Sequence, residues 1–176
     1  MLKTLIPLLI LISFAATEPK PSTTIIAGVG TDSLFIGKTK ITDVFARYGK
    51  RDDFNTTTMQ GTNFVLQINR YYYNKQSLIF MTNVFAPKGE DTTNAVLSDI
   101  IFGAKSGAHT QEGITIGIDS LERVKLLYGE PEKIQESGAD MTFIYTKKGI
   151  SFTENTEKGE IYEIEVFRPG LFGSHY

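Results

Sequence analysis

Apolar residues recur with helical spacing from Leu121 to Tyr128 and predict a short helix, and Ile114 and Ile116 just before it predict a short extended lead-in. The first, fourth and eighth helical positions are apolar, as expected for one buried face of a helix: Leu121, Val124 and Tyr128. Asp119 is the predicted N-cap, and Glu122 lies where it would complete a capping box. Gly129 is a typical left-handed end to a helix. The segment between Asp119 and Gly129 is therefore predicted to be one complete, capped helix.

The same pattern occurs eighty residues earlier, at Thr39, Ile41, Val44 and the pair Tyr48 and Gly49. A single short helix buries too little apolar area to stabilise a unit by itself. We therefore expect an α+β fold with more strand than helix, in which two tandem repeats each place a short helix on a small antiparallel sheet. The predicted first repeat unit covers residues 33–105, and the second covers residues 106–170.

Strand-forming stretches follow each predicted helix and are separated by turn residues and polar connections. The predicted strands are residues 64–73, 78–85, 96–102, 141–145, 150–152 and 161–167. The predicted polar loops are residues 50–60, 87–93 and 154–160. Each unit thus gains a hairpin and a closing strand after its helix.

The beginning of the chain predicts export. Residues 1–15 combine a basic start, an apolar run and a small-residue cleavage motif, as in a signal peptide. The apolar run is shorter than the ~20 residues that span a bilayer, so no stable membrane anchor is expected after cleavage. Residues 16–32 are the predicted tether and lead-in, and residues 171–176 the C-terminal tail. The chain contains no cysteine, which favours a bacterial periplasmic or secreted protein over a disulfide-stapled domain.

Composition gives little support for catalysis or for nucleic acid binding. The net charge of −2 and the scattered basic residues argue against a nucleic acid partner. The two histidines, His109 and His175, have no local partner motif, so no catalytic residue is predicted. No cofactor motif is present, and the acidic residues do not follow calcium-loop spacing, so no metal site is predicted. Glu163 and Glu165 are expected on the solvated face of the last strand.

The run Tyr71, Tyr72 and Tyr73 is the most informative feature for binding, because neighbouring strand residues point to opposite faces. Simple alternation groups Tyr72 with the apolar residues before it and leaves Tyr71 and Tyr73 outside. Alignment of the two repeats instead buries Tyr73 and exposes Tyr72, and a bulge would reconcile the two. With Ile79 and Met81 on the hairpin partner, these tyrosines are the predicted protein-binding residues. A structural role at the sheet edge is an equal alternative.

The pattern of residues 117–131, with glycine first and then valine, Tyr-Gly and proline, resembles the β-lactamase-inhibitor-protein-like group. That group includes the outer-membrane assembly lipoproteins of the SmpA/OmlA type. The resemblance implies a non-enzymatic envelope or secreted binder that presents a sheet surface to a protein target. Two features depart from the pattern: the chain has no cysteine for a lipid anchor, and Arg51 stands where the first unit would have proline.

These observations predict a secreted or periplasmic, non-catalytic protein-binding module with a protein partner in the envelope or medium. It would act as an inhibitor or immunity protein, or as an accessory in envelope assembly. The alternatives are a small-ligand or glycan binder and a hydrolase with a site near His109. Substituting His109 should abolish turnover in an enzyme and leave a binder intact.

Overall fold

The structure, a computed structural model, describes residues 23–62, 65–86 and 95–170. The predicted signal peptide of residues 1–15, the first part of the tether, the polar connection of residues 87–93 and the tail of residues 171–176 lie outside the described residues. No helix of the described part is long and apolar enough to cross a membrane.

The described residues form two short helices and eleven strands. The first half is β1 (Thr24–Ile26), β2 (Gly30–Thr31), α1 (Ile41–Tyr48), β3 (Asp53–Gln60), β4 (Val65–Tyr73), β5 (Leu78–Ala86) and β6 (Asp99–Gly103). The second half is β7 (His109–Thr110), α2 (Leu121–Tyr128), β8 (Lys133–Ser137), β9 (Asp140–Tyr145), β10 (Ile150–Asn155) and β11 (Glu160–Phe167).

One eight-stranded sheet dominates the molecule, in the order β3-β4-β5-β6-β11-β10-β9-β8. All its neighbouring strands are antiparallel. A second sheet of three short strands has the order β2-β1-β7, and its β1–β7 pair is parallel. The backbone N–H of Gly28 donates to the Gly149 carbonyl oxygen (3.1 Å), which connects this small sheet to the turn between β9 and β10.

The predicted fold class, two repeats that each place a helix on a small sheet, was wrong. The protein is mostly β, with 48% strand and 12% helix, and it has one large antiparallel sheet. The cause is the pairing of β6 with β11, in which Ile100 lies opposite Val166 and Phe102 opposite Ile164. Two separate sheets would each leave an inner edge with unpaired backbone groups, and this pairing removes both edges. Hydrophobic periodicity predicts strands but not which edges join.

Two edge strands were missed in the sequence. The predicted polar loop of residues 50–60 contains β3, and β8 was not predicted at all. Every residue of β3 is exposed, so this strand lacks the alternation of apolar and polar residues that identifies a half-buried strand. Its β-branched residues Thr56, Thr57 and Thr58 favour extended backbone even without a buried face.

Both helices pack on the same face of the large sheet through matching trios of aromatic rings. The ring of Tyr48 at the end of α1 lies 5.7 Å from Tyr73 and 5.1 Å from Phe80, measured between ring centroids. In the second half the corresponding rings belong to Tyr128, Tyr145 and Phe152, with centroids 4.9–6.1 Å apart. Tilted and edge-to-face pairs at these separations stabilise a core beyond the area that they bury.

A hydroxyl from each trio also reaches the end of its helix. The Tyr73 hydroxyl donates to the Gly49 carbonyl oxygen (3.1 Å), and the Tyr145 hydroxyl donates to the Gly129 carbonyl oxygen (2.8 Å). The last carbonyls of a helix have no partner within the helix, so these bonds satisfy groups that would otherwise need water.

The start of α2 differs from the prediction. Ser120, not Asp119, is the N-cap residue, and its side chain makes no capping hydrogen bond. The side chain of Asp119 accepts a hydrogen bond from the backbone N–H of Thr115 (2.7 Å). A residue that is distant in the sequence caps the helix instead: the backbone N–H of Leu121 donates to Oε2 of Glu154 on β10 (2.6 Å). A negative carboxylate at this end also interacts favourably with the helix dipole.

Replacing Tyr145 by phenylalanine should lower the free energy of unfolding by about 1 kcal/mol, because the Gly129 carbonyl loses its donor. Tyr73→Phe should lower it by a similar amount. Urea unfolding followed by circular dichroism measures both. Tyr72→Phe is the matched control, since Tyr72 lies on the same strand as Tyr73 and points to the other face; an equal loss in that variant would contradict this account.

Stability should fall as the pH rises from 10 to 12. Burial, and then the charges of Glu130 and Glu132, raise the pKa of Tyr145 to about 12, from the value near 10 that it has when unfolded. In this range the unfolded chain has lost the phenol proton and the folded chain keeps it, so unfolding is favoured. Urea midpoints measured across this range should show a shallower decline in Tyr145→Phe. An identical decline would contradict the proposed linkage.

Gly149→Ala should be strongly destabilising. Gly149 has a φ of +71°, and an added Cβ would overlap the Phe167 carbonyl oxygen and the backbone of Gly28. Gly138 has a φ of +62° with open space around it, so Gly138→Ala carries only the conformational penalty of about 1 kcal/mol. Thermal unfolding of the two variants separates crowding from backbone strain, and equal losses would show that crowding contributes nothing.

Candidate functional site

The structure separates the three consecutive tyrosines between the two faces of the sheet. Tyr71 and Tyr73 lie on the face that carries the helices and are 7% and 1% exposed, whereas Tyr72 lies on the opposite, outer face and is partly exposed. Pairing between β4 and β5 is one-to-one from Val65 to Tyr73, so no bulge is present. The prediction from simple alternation that Tyr71 and Tyr73 lie outside was wrong, because the apolar residues grouped with Tyr72 form the outer face. The structure agrees with the repeat alignment, which buries Tyr73 and exposes Tyr72, and it needs no bulge.

Of the predicted binding residues, Tyr72 and Ile79 remain accessible. They are cross-strand partners on the outer face and line a shallow groove of about 160 Å³ together with Ile101 and Glu163. Met81 is on the same face but fully buried. Tyr71, Tyr73 and Met81 therefore cannot contact a partner without rearrangement, and the role of Tyr72 and Ile79 in binding stays a prediction.

The sheet ends in a strand whose residues are all exposed. β3 has eight exposed residues, and Phe54 and Met59 expose 40% and 57% of their surface. Among the described strands only β4 pairs with it, so its other edge has backbone groups that no described strand engages. Natural proteins protect such edges with lysine, proline, bulges or short strands. β3 contains none of these devices.

The opposite edge of the sheet is protected in the usual way. β8 is only five residues long, begins with Lys133 and follows Pro131 closely. A strand of only five residues is a poor template for strand addition, and lysine on an edge strand disfavours it further. The two ends of the same sheet thus differ in the property that decides whether another strand can join.

Side-chain hydrogen bonds hold β3 firmly on the sheet. The Thr56 hydroxyl donates to the side-chain oxygen of Asn69 (2.9 Å), and the Asn69 amide donates to the Thr82 hydroxyl (3.3 Å). On the outer face, Arg70 donates to the Thr57 hydroxyl (3.1 Å). An edge that is ordered before binding loses less conformational entropy when it pairs with a partner.

A cleft of about 580 Å³ opens where α1 ends and β3 begins. Its central side chain, Arg51, lies over three rings, with its Cζ atom 4.6 Å from the centroid of Phe54, 5.6 Å from that of Tyr71 and 5.7 Å from that of Phe45. Burial raises the pKa of Tyr73 nearby, and the charge of Arg51 opposes that rise. Sequence reasoning noted Arg51 only as a departure from the proline pattern, because the rings come from distant segments.

The environment of His109 is that of a small connecting strand. Its Nε2 atom lies 3.4 Å from the Thr24 hydroxyl oxygen across the β1–β7 pair. Within the described residues, no group of three histidine, aspartate or glutamate side chains is placed to hold a metal ion.

The expectation that Glu165 faces solvent was wrong: its side chain is 1% exposed, and the Ser151 hydroxyl donates a hydrogen bond to it (3.4 Å).

Comparison with known proteins gives no match, whether with family models, with curated proteins or with solved structures. The resemblance to the β-lactamase-inhibitor-protein-like group therefore stays a prediction based on the residues of the motif.

Proposed function

We propose that this protein is an exported, non-catalytic protein-binding module that recognises an extended segment of its partner by strand addition to β3. The observation that supports the proposal is the exposed, unprotected edge of a sheet that is protected at its other end. Strand addition supplies main-chain hydrogen bonds for affinity and alternating side chains for specificity.

The residues of β3 offer both main-chain hydrogen bonds and side-chain contacts to an added strand. Phe54, Thr56 and Thr58 alternate on the face that carries the helices, and Thr57 and Met59 alternate on the outer face. An added strand would place its own side chains beside these two rows, because directly opposite residues share a face. Threonine pairs and apolar contacts with Phe54 and Met59 would select the partner's sequence.

The outer-face groove extends this surface beyond the edge. Tyr72 lies opposite Asp53 of β3 on one side and Ile79 of β5 on the other, so the groove begins on β4, the strand next to the edge strand. Half-exposed aromatic and aliphatic side chains of this kind are enriched at protein interfaces. Tyr72 and Ile79 would contact parts of the partner that continue past the added strand.

Proline substitution at the edge should abolish partner binding. Along β3, backbone N–H groups point alternately toward β4 and away from it. One of the two variants Thr56→Pro and Thr57→Pro therefore removes a hydrogen bond to β4, and the other removes an N–H group on the free edge, where a partner strand would bind. The variant that keeps the thermal stability of the unaltered protein is the one that tests strand addition to the free edge. In pull-downs from the native envelope and culture medium, it should lose a stoichiometric partner that the unaltered protein retains.

Three comparisons make this experiment decisive. Valine at the same position keeps the N–H and should keep the partner. His109→Ala should also keep the partner. If the protein were instead a hydrolase with its site near His109, this variant would lose turnover. In the complex, hydrogen exchange of alternate β3 amides should slow by about tenfold or more, since new hydrogen bonds protect them. Retention of the partner by the stable proline variant, or unchanged exchange in β3, would refute strand addition.

A further inference from the structure

We propose that the cleft at the start of β3 is a carboxylate-binding site in which the guanidinium group of Arg51 is the receptor. The inference deepens the proposed function, on which it rests for the identity of the natural ligand. The inference rests on the geometry around Arg51 and on the position of Arg51 two residues before the exposed edge strand β3.

The aromatic rings leave the hydrogen-bonding edge of Arg51 available. Phe45, Phe54 and Tyr71 contact the guanidinium group over their ring faces. Among the described residues, no hydrogen bond or ion pair of Arg51 with another side chain or with the backbone is found. A guanidinium group carries five N–H donors in a planar fork, and that fork matches the two oxygens of a carboxylate.

Ring contacts also increase the strength of such a bond. The Tyr71 ring is in contact with Phe45 (5.3 Å) and with Phe54 (5.1 Å), so the three rings form one continuous wall. This wall excludes water from one side of the cation and limits its orientations, which lowers the entropy lost on binding. Charge-assisted hydrogen bonds are stronger where solvent is partly excluded.

The acidic residues of the cleft are already engaged by the protein. Asp52 accepts a hydrogen bond from the backbone N–H of Asn74 (2.8 Å), and Asp53 accepts one from the backbone N–H of Phe54 (2.7 Å). Their negative charges balance those of Lys50 and Arg51. Repulsion from both aspartates grows with the charge of the ligand, so a singly charged, planar carboxylate is favoured over a doubly charged phosphate.

The location connects this site with strand addition. Arg51 is two residues before the first residue of β3, so the end of a strand paired with β3 would lie beside it. The carboxylate would belong either to the chain terminus of the added segment or to an aspartate or glutamate side chain near its end. Both sources present the same chemical group to Arg51.

Titration of the full-length protein with small carboxylates tests the inference without a protein partner. N-acetylphenylalanine carries an α-carboxylate, N-acetylglutamate α-amide a side-chain carboxylate, and N-acetylphenylalanine amide carries neither. Followed by ¹H–¹⁵N NMR, the two carboxylates should shift the amide signals of residues 49–54, and the neutral amide should not. The tighter of the two carboxylates identifies the source in the natural ligand.

Substitution at Arg51 should weaken carboxylate binding selectively. Arg51→Gln should reduce the affinity about tenfold, as expected for one charge-assisted hydrogen-bonded pair. Arg51→Lys, which keeps the charge without the fork, should also bind more weakly than the unaltered protein. Arg47→Gln is the matched control, because Arg47 lies over a single ring, that of Tyr48, at the same end of α1. It should leave the affinity unchanged, and thermal unfolding confirms that each variant is folded.

Three results would overturn the inference: equal binding of the neutral amide, unchanged affinity in Arg51→Gln, or tighter binding of inorganic phosphate than of either carboxylate. The stable β3 proline variant should still bind the carboxylates. If the proline variant binds the carboxylates and loses the protein partner, both proposals are supported. If it binds the carboxylates and keeps the protein partner, strand addition is refuted and the carboxylate site stands. If it loses the partner while Arg51→Gln leaves the carboxylate affinity unchanged, the carboxylate site is refuted and strand addition stands. Failure of either proposal is thus distinguishable from failure of the other.

Discussion

The docking of each short helix on a strand tyrosine, whose ring packs against the helix and whose hydroxyl binds the helix end, is the contact on which the rest of the fold depends. Helices of eight residues are not stable alone in water, because nucleation is costly and few bonds follow. Here the Tyr73 and Tyr145 hydroxyls bind the helix ends while their rings pack under Tyr48 and Tyr128. The helices in turn cover the apolar face of the sheet. Helix and sheet therefore stabilise each other, and neither is expected to be ordered without its partner.

Pairing of β6 with β11 explains why function is expected at one end of the molecule. This ladder closes the centre of the sheet and leaves two outer edges, β3 and β8. The edge at β8 is short and begins with Lys133, whereas β3 is longer and wholly exposed. An unprotected edge carries a risk of aggregation. Under the proposed function, a strand of the partner would cover this edge.

Local elements with a buried face could be predicted from the sequence, and the assembly of those elements could not. Both helices, the hairpin of β4 and β5 and the hairpin of β9 and β10 were predicted, because their apolar residues recur with helical or strand spacing. The single sheet was missed because edge pairing leaves no local signal. β3 was missed because a strand exposed on both faces has no alternation. Similarly, the cleft around Arg51 joins rings from α1, β3 and β4, which lie up to twenty-six residues apart in the chain.

The two halves of the sheet differ most at the residue two positions after each helix-ending glycine. In the second half that residue is Pro131, which lacks an N–H and precedes the short edge strand β8. In the first half it is Arg51, whose charge is held against three rings where the long strand β3 begins. The proline ends a helix and contributes no group that could bind a ligand. The arginine places a cation and its donors beside the start of β3, the edge to which we propose that a partner strand is added. After the same helix-ending glycine, the two halves thus differ in this residue as well as in the length and lysine content of the edge strand that follows.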